Sequence, residues 1–125
     1  MITTILGLCT VFTGPLEWDY EGYPIHYEQG VTQILESKGY QIVFTEADAA
    51  FRLSIEPAAE DRGHFQFAVA RAHWTSADAS REPRTMESAK RCMTQLCAVT
   101  DFVPPLRKLM GSLQSEIPSC QAATR

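Results

Sequence analysis

The side chains best suited to chemistry in this sequence are four cysteines, three histidines, a basic cluster, and a run of aromatic and acidic residues near the N-terminus. A nucleophile needs a base within reach, yet the sequence contains no GxSxG, HExxH, GxGxxG or glycine-rich phosphate loop. His26, His64 and His73 fall on a helix start, a hairpin shoulder and a strand end, so each is read as a locally hydrogen-bonded side chain. A Cys9–His73 pair could meet across a sheet, but an uncharged strand around Cys9 would raise the thiol pKa and leave it inert. No catalytic residue, no metal site and no cofactor are expected. Arg81, Arg84, Lys90 and Arg91 could hold an anion at a helix start; with Glu82 and Glu87 among them, a solvated face is preferred. Met86, Met93 and Met110 are read as helical core positions.

The cysteines Cys9, Cys92, Cys97 and Cys120 form an even set whose spacing matches neither CxxC nor a zinc pattern. Cys92 and Cys97 are placed on one helix, where five residues separate side chains by about 140°. A mutual bridge would need a break in that helix. Buried thiols are one reading of the four. The other is a bridge from Cys120, which has little to pack against in a polar tail, to Cys9 or to one of the helical pair.

The stretch Glu17-Trp18-Asp19-Tyr20-Glu21-Gly22-Tyr23 interleaves three aromatics with three carboxylates. Tryptophan and tyrosine give large contact area at low entropy cost and dominate interface hot spots, while carboxylates steer a basic partner. Glu17, Trp18, Asp19, Tyr20, Glu21 and Tyr23 are therefore the candidate partner-binding residues, and the partner is expected to be a protein, basic at the contact. Equally, Trp18 and Tyr20 could fold back as a lid on an open side of the sheet, or Tyr23 could pack while Trp18 stays exposed.

Hydropathy patterning supplies the elements that must position these groups. Ile2 to Thr13 carries no charge and reads as a strand buried on both faces. Pro15 to Tyr23 reads as a loop. Pro24 to Lys38 has helical spacing, weakened by Gly30 and capped by Gly39. Tyr40 to Thr45 is a second strand, joined to the first by a right-handed parallel crossover. Phe51, Leu53 and Ile55 alternate with polar residues, Pro57 to Gly63 turns, and the strand from Phe65 to Trp74 returns antiparallel. A helix is expected from Thr85 to Cys97, and the Pro104-Pro105 pair restarts the chain for a last helix. The order β-α-β-β-β-α-α predicts a single α+β domain over residues 1–125, a two-layer sandwich. Its mixed four-stranded sheet would carry helices mainly on one face, and 118–125 would form a polar tail.

With 125 residues, 45% hydrophobic and 21% charged, the chain suits one folded domain. Its net charge of −4 and pI near 5.3 argue against nucleic acid or an anionic membrane as the main partner. All of that negative charge lies before Lys38, and no apolar stretch is long enough for a transmembrane segment. Met1 to Thr13 lacks the basic region of a secretory signal, and Leu6-Gly7-Leu8-Cys9 is not a lipobox. An exported form would therefore be one with its signal removed.

The string Leu35 to Ile55 (LESKGYQIVFTEADAAFRLSI) and the closing Ile117-Pro118-Ser119-Cys120 resemble small α/β domains of bacterial periplasmic proteins and outer-membrane lipoproteins. The resemblance implies a noncatalytic binding role in the bacterial envelope, with a cytoplasmic location as the alternative. Within that role the candidates are an immunity-type inhibitor of a basic toxin or enzyme and an envelope assembly or regulatory factor. A small enzyme or ligand carrier is the remaining class, and the oligomeric state is open.

Overall fold

The computed structural model describes residues 9–20 and 23–124. In chain order the elements are β1 (Thr10–Thr13), β2 (Glu17–Tyr20), β3 (Tyr23–His26), α1 (Glu28–Ser37), β4 (Gln41–Val43), a 3-10 turn (Glu46–Asp48), β5 (Phe51–Arg62), β6 (Phe65–Ser76), β7 (Arg84–Arg91), α2 (Val99–Glu116) and α3 (Cys120–Ala123). A five-stranded mixed sheet runs β4-β1-β5-β6-β7, and β2 with β3 forms a separate antiparallel pair. The fold is α+β, as expected, with five strands in the main sheet where four were expected.

The uncharged first strand is interior: β1 pairs in parallel with β4 on one side and with β5 on the other. The expected stretch Ile2 to Leu8 lies outside the described residues. The joint after α1 is a Schellman motif: Gly39 takes φ +92°, its N–H donates to Glu36 O, and the Tyr40 N–H donates to Leu35 O. Leu35 and Tyr40 are both buried beside it. A Cβ on Gly30 would stand 2.5 Å from the Met110 methyl, so the glycine that weakens α1 also lets α2 approach it closely.

One sheet face and the two long helices share the core. Val11, Phe51, Leu53, Ile55, Ala72, Trp74 and Met86 meet Val31 and Leu35 of α1 and Leu109 and Leu113 of α2. Phe51 stacks on Trp74 at 5.1 Å between centroids, and the Tyr40 ring meets both edge-on. Burying each such side chain contributes roughly 1.5–3 kcal/mol.

Several expectations are corrected. Pro15 to Tyr23 is not a loop, because Glu17–Tyr20 pairs with Tyr23–His26, and that pairing delays the helix start from Pro24 to Glu28. The strand from Phe51 does not turn at Pro57 but continues to Arg62. Among the described residues β1 pairs with β5 only at Phe51–Leu53, so Pro57 lies on a free stretch of strand edge, where a missing N–H breaks no ladder bond. Gly63, with φ +72°, makes the turn instead.

The expected helix from Thr85 is strand β7. Its pairing with β6 sets Glu87 opposite Arg71 and Met86 opposite Ala72, and these long-range contacts override a weak local preference. Met86 is then a buried strand residue, whereas Met93 is 78% exposed and not in the core. The Pro104-Pro105 pair does not restart the chain, since α2 begins at Val99 and runs through it. The start of α2 is held from outside the helix ladder: the Asp101 carboxylate accepts the Ala98 N–H at 2.8 Å.

Residues 118–125, expected as a polar tail, carry α3, with Cys120 and Ala123 in the core. Tyr40 donates its phenol proton to Pro118 O at 2.7 Å. Burial raises the pKa of that phenol to about 12, with nearby Arg81 opposing the shift.

Candidate binding surface

The β2–β3 hairpin sorts its side chains by the period of two that every strand imposes. Trp18 and Ile25 stand opposite each other and turn inward, packing on a second buried cluster of Ala68, Cys92, Cys97 and Phe102. The Trp18 ring meets Phe102 edge-on at 4.5 Å. Of the sequence alternatives, folding back as a lid therefore describes Trp18, and an exposed Trp18 does not. Glu17 and Asp19 lie on the opposite side of the strand and are exposed. The Glu17 carboxylate is 3.6 Å from Nδ1 of His26, its cross-strand neighbour. Tyr20 and Tyr23 pair backbone to backbone at the hairpin end, and Glu21 lies outside the described residues.

All four cysteines are paired. Cys9 bridges to Cys120 and Cys92 to Cys97, with Cα separations of 5.6 and 5.1 Å. The first was among the open alternatives. The second is possible because Cys92 follows a strand and Cys97 precedes a helix, so the two side chains do not diverge on one helix as expected. With Cys9 in a bridge, the thiol of the Cys9–His73 pair does not exist.

The Cys92–Cys97 loop is the part of the surface that sequence reasoning missed. Met93 and Leu96 at its tip are 78% and 76% exposed. Its base is clasped by Gln66, whose backbone O accepts the Cys92 N–H at 2.8 Å and whose Oε1 accepts the Cys97 N–H at 3.0 Å. Asp101, itself 1% exposed, accepts the Met93 N–H at 3.4 Å. Within the loop, Thr94 Oγ1 donates to Leu96 O at 2.6 Å and accepts the Leu96 N–H at 3.2 Å. The signal was the CxxxxC spacing, which staples a loop once the segment is not helical.

Between β3, the start of α1, and α2 runs an open groove of 650 Å³, lined by Ile25, Tyr27, Val103, Leu106 and Met110 together with His26, Glu28, Gln29, Gly30 and Arg107. Burial of the Tyr27 phenol raises its pKa.

The basic cluster does not assemble an anion site, because β7 is a strand and no helix starts there. Arg81 donates to Ala123 O, Arg84 to Glu116 O at 2.9 Å, and Lys38 to Ile117 O at 2.7 Å. Two of these cations thus stand at the C-terminus of α2, where the helix dipole favours positive charge. Arg91 lies over the Phe65 ring at 3.6 Å.

On the sheet face away from the helices, Arg71 bonds Glu60 and Glu87 at 2.8 Å each, and Arg62 bonds Glu87 at 2.9 Å. Hydrogen bonds from Arg62 and Arg71 hold the Glu87 carboxyl below the usual carboxylate range. Val69 lies on this same face between Ala58 and Ala89, yet it is fully buried beside the ionic cluster.

The three histidines stay apart. His73 sits 3.8 Å from Glu56 and 3.3 Å from Thr85, His26 is on the hairpin, and His64 is at the β5–β6 turn. A depression beside His73 is lined by Phe12, Glu46, Arg52, Ser54 and Thr75, with neither Arg71 nor a cysteine among its walls. Among the described residues no His, Cys, Asp and Glu side chains gather as a metal site, and no helix is long and apolar enough to cross a membrane.

No family model matches the chain, and no curated protein matches it. Among solved structures, a Xanthomonas campestris protein described by the family model DUF330 aligns with a TM-score of 0.40 at 9% identity, covering 92% of this chain and 83% of its own. A minor lipoprotein from Acinetobacter baumannii aligns with a TM-score of 0.48 at 16% identity, covering 93% of each chain. The chain is thus similar, weakly, to two bacterial proteins, one of them a lipoprotein.

Proposed function

We propose that this chain is a noncatalytic protein-binding domain of an oxidising compartment, the bacterial envelope, and that the outward side of β2–β3 receives a protein that is basic at the contact. The observation that carries the reading is the anchoring of Trp18 on Phe102, which fixes the strand so that Glu17 and Asp19 face solvent from a rigid support. Preorganised charge of this kind accelerates encounter with an oppositely charged surface and excludes like-charged ones. Two disulfides support the compartment, since such bonds persist where the surroundings are oxidising. An immunity-type inhibitor of a basic toxin or lytic enzyme is the narrower form of this reading.

The test is capture from an envelope extract of the native organism with the wild-type chain and with a Glu17→Gln, Asp19→Asn variant. The expected result is a basic protein whose association rate falls about tenfold at low salt in the variant, with a flatter salt dependence. An identical set of captured proteins, bound at unchanged rates, refutes the hairpin as the contact. Trp18 is left intact because its ring belongs to the core.

A further inference from the structure

We propose that the open edge of the main sheet at β4, with the groove between it and α1, receives an extended basic segment of another protein as an added strand. This contact uses neither Glu17 nor Asp19 and does not rest on the hairpin reading above.

The backbone of β4 is half used. It is the end strand of the five-stranded sheet, and among the described residues it pairs with β1 alone. The Gln41 N–H donates to Cys9 O at 2.8 Å, which fixes the alternation of the parallel ladder: Gln41 and Val43 bond inward to β1, and Ile42 turns its N–H and C=O outward. Those two groups can exchange both bonds with one residue of an incoming antiparallel strand. Sheet edges are commonly closed to such pairing by lysine or proline. Gln41-Ile42-Val43 carries neither and runs into Phe44, whose side chain is 93% exposed.

The groove beside this edge states the charge of its occupant. It measures 580 Å³ and is lined by Glu28, Thr32 and Glu36 of α1, by the stretch from Gly39 to Ile42 and by Phe44. Both glutamates are exposed, and no Lys, Arg or His is among the lining residues. Lys38 and Arg52, the cations flanking β4 in sequence, are engaged elsewhere: Lys38 donates to Ile117 O at 2.7 Å, and Arg52 stands 3.2 Å from Glu46. Glu28, Thr32 and Glu36 recur every fourth residue and form one row along the helix, successive members about 6 Å apart. Alternate residues of a strand stand about 6.6 Å apart. A strand laid along the groove therefore passes the row nearly in step, so that basic side chains at every fourth position reach Glu28 and Glu36. The carboxylates select a basic segment and the outward bonds of Ile42 select an extended one, while Phe44 supplies the apolar contact at the end of the edge.

Fluorescence anisotropy of a fluorescein-labelled peptide of about eight residues, lysine alternating with valine, measures the contact with the oxidised full chain at up to about 1 mM protein. The expected result is saturable binding that weakens with salt, falls about tenfold for Glu28→Gln with Glu36→Gln, and falls about fivefold for Phe44→Ser. Met93→Ser, which removes an exposed apolar side chain outside the groove, should leave it unchanged. Ile42→Pro removes an outward N–H without touching the ladder to β1 and should weaken binding as well. Because that variant also alters packing, amide exchange of the wild type is the companion measurement: saturating peptide should slow exchange at Ile42. No binding over the whole range overturns the proposal, as does equal binding of the peptide with glutamate in place of lysine, or exchange at Ile42 that the peptide does not slow. If Glu17→Gln with Asp19→Asn abolishes binding while Glu28→Gln with Glu36→Gln does not, the peptide sits on the hairpin and this proposal fails while the hairpin reading stands. Self-association of the chain alone that Phe44→Ser abolishes would give the edge to a second copy and would likewise overturn it.

Discussion

Removing the two disulfides one at a time should have unequal effects, and the inequality follows from where each lies in the chain. Cys9 and Cys120 are 111 residues apart and Cys92 and Cys97 only five. A cross-link stabilises chiefly by restricting the unfolded chain, and the restriction grows with the logarithm of the closed loop. The long loop then contributes about 5 kcal/mol at 25 °C and the short one about 2 kcal/mol. The folded contacts around the long bridge do not depend on it. The Cys120 N–H still donates to Lys38 O, Tyr40 to Pro118 O and Lys38 Nζ to Ile117 O. A Cys9→Ala, Cys120→Ala variant should therefore keep its near-ultraviolet spectrum while its urea midpoint falls. Its denaturant slope should rise, because the freed unfolded chain exposes more surface. Cys92→Ala with Cys97→Ala should lose less than half as much, with almost no change in slope. Urea titration followed by tryptophan fluorescence measures both. If the short-loop variant loses as much stability as the long-loop variant, the entropic account fails, and the Cys92–Cys97 bridge must be holding native packing that the long bridge does not.

The Glu87 carboxyl is held below the ordinary range by Arg62 and Arg71, so the stability it contributes is present above the unfolded carboxylate pKa and is lost as the pH falls through its lowered folded value. Glu87→Gln should lower the urea midpoint slightly at neutral pH, and the difference from wild type should vanish in acid; a pH series of urea titrations checks it. Gly39→Ala should cost roughly 2 kcal/mol by calorimetry, since alanine is strained at φ +92° and its Cβ would stand 3.2 Å from the Cys120 Cβ. Gly63→Ala, with φ +72° and nothing within 4 Å, should cost about 1 kcal/mol from strain alone.

What could be read from the sequence were the elements whose pattern has a single solution. Charge-free Thr10 to Thr13 is interior, Phe51 to Ile55 alternates as a strand with a wet face, and Gly39 ends a helix in the left-handed region. The misread elements were those whose pattern has two solutions. Met86, Ala89 and Met93 fit a helical stripe, yet they also fit a strand with Met86 inward and Ala89 outward. The decision rests on Arg71 and Ala72, which lie 16 and 14 residues before their partners Glu87 and Met86 and do not appear in a local window. Pro57 looked like a turn because its cost depends on whether a neighbouring strand needs its N–H, and that too is a long-range fact.

The same distinction explains the binding surface. Glu17 to Tyr23 stood out by composition, but composition could not assign its side chains to faces. Pairing with Tyr23–His26 did so, sending Trp18 to the core and Glu17 and Asp19 to water. Met93 and Leu96 were hidden for the converse reason: apolar residues at helical spacing are ordinarily core, and only a break in the helix turns them outward. Once Cys92 and Cys97 close that break, their bridge and Gln66 hold the loop with Met93 and Leu96 exposed. The hairpin and the loop rest on the one cluster of Ala68, Cys92, Cys97 and Phe102, so loosening that cluster should disturb both surfaces together, whereas changing Glu17 and Asp19 or Met93 and Leu96 should disturb one and spare the other.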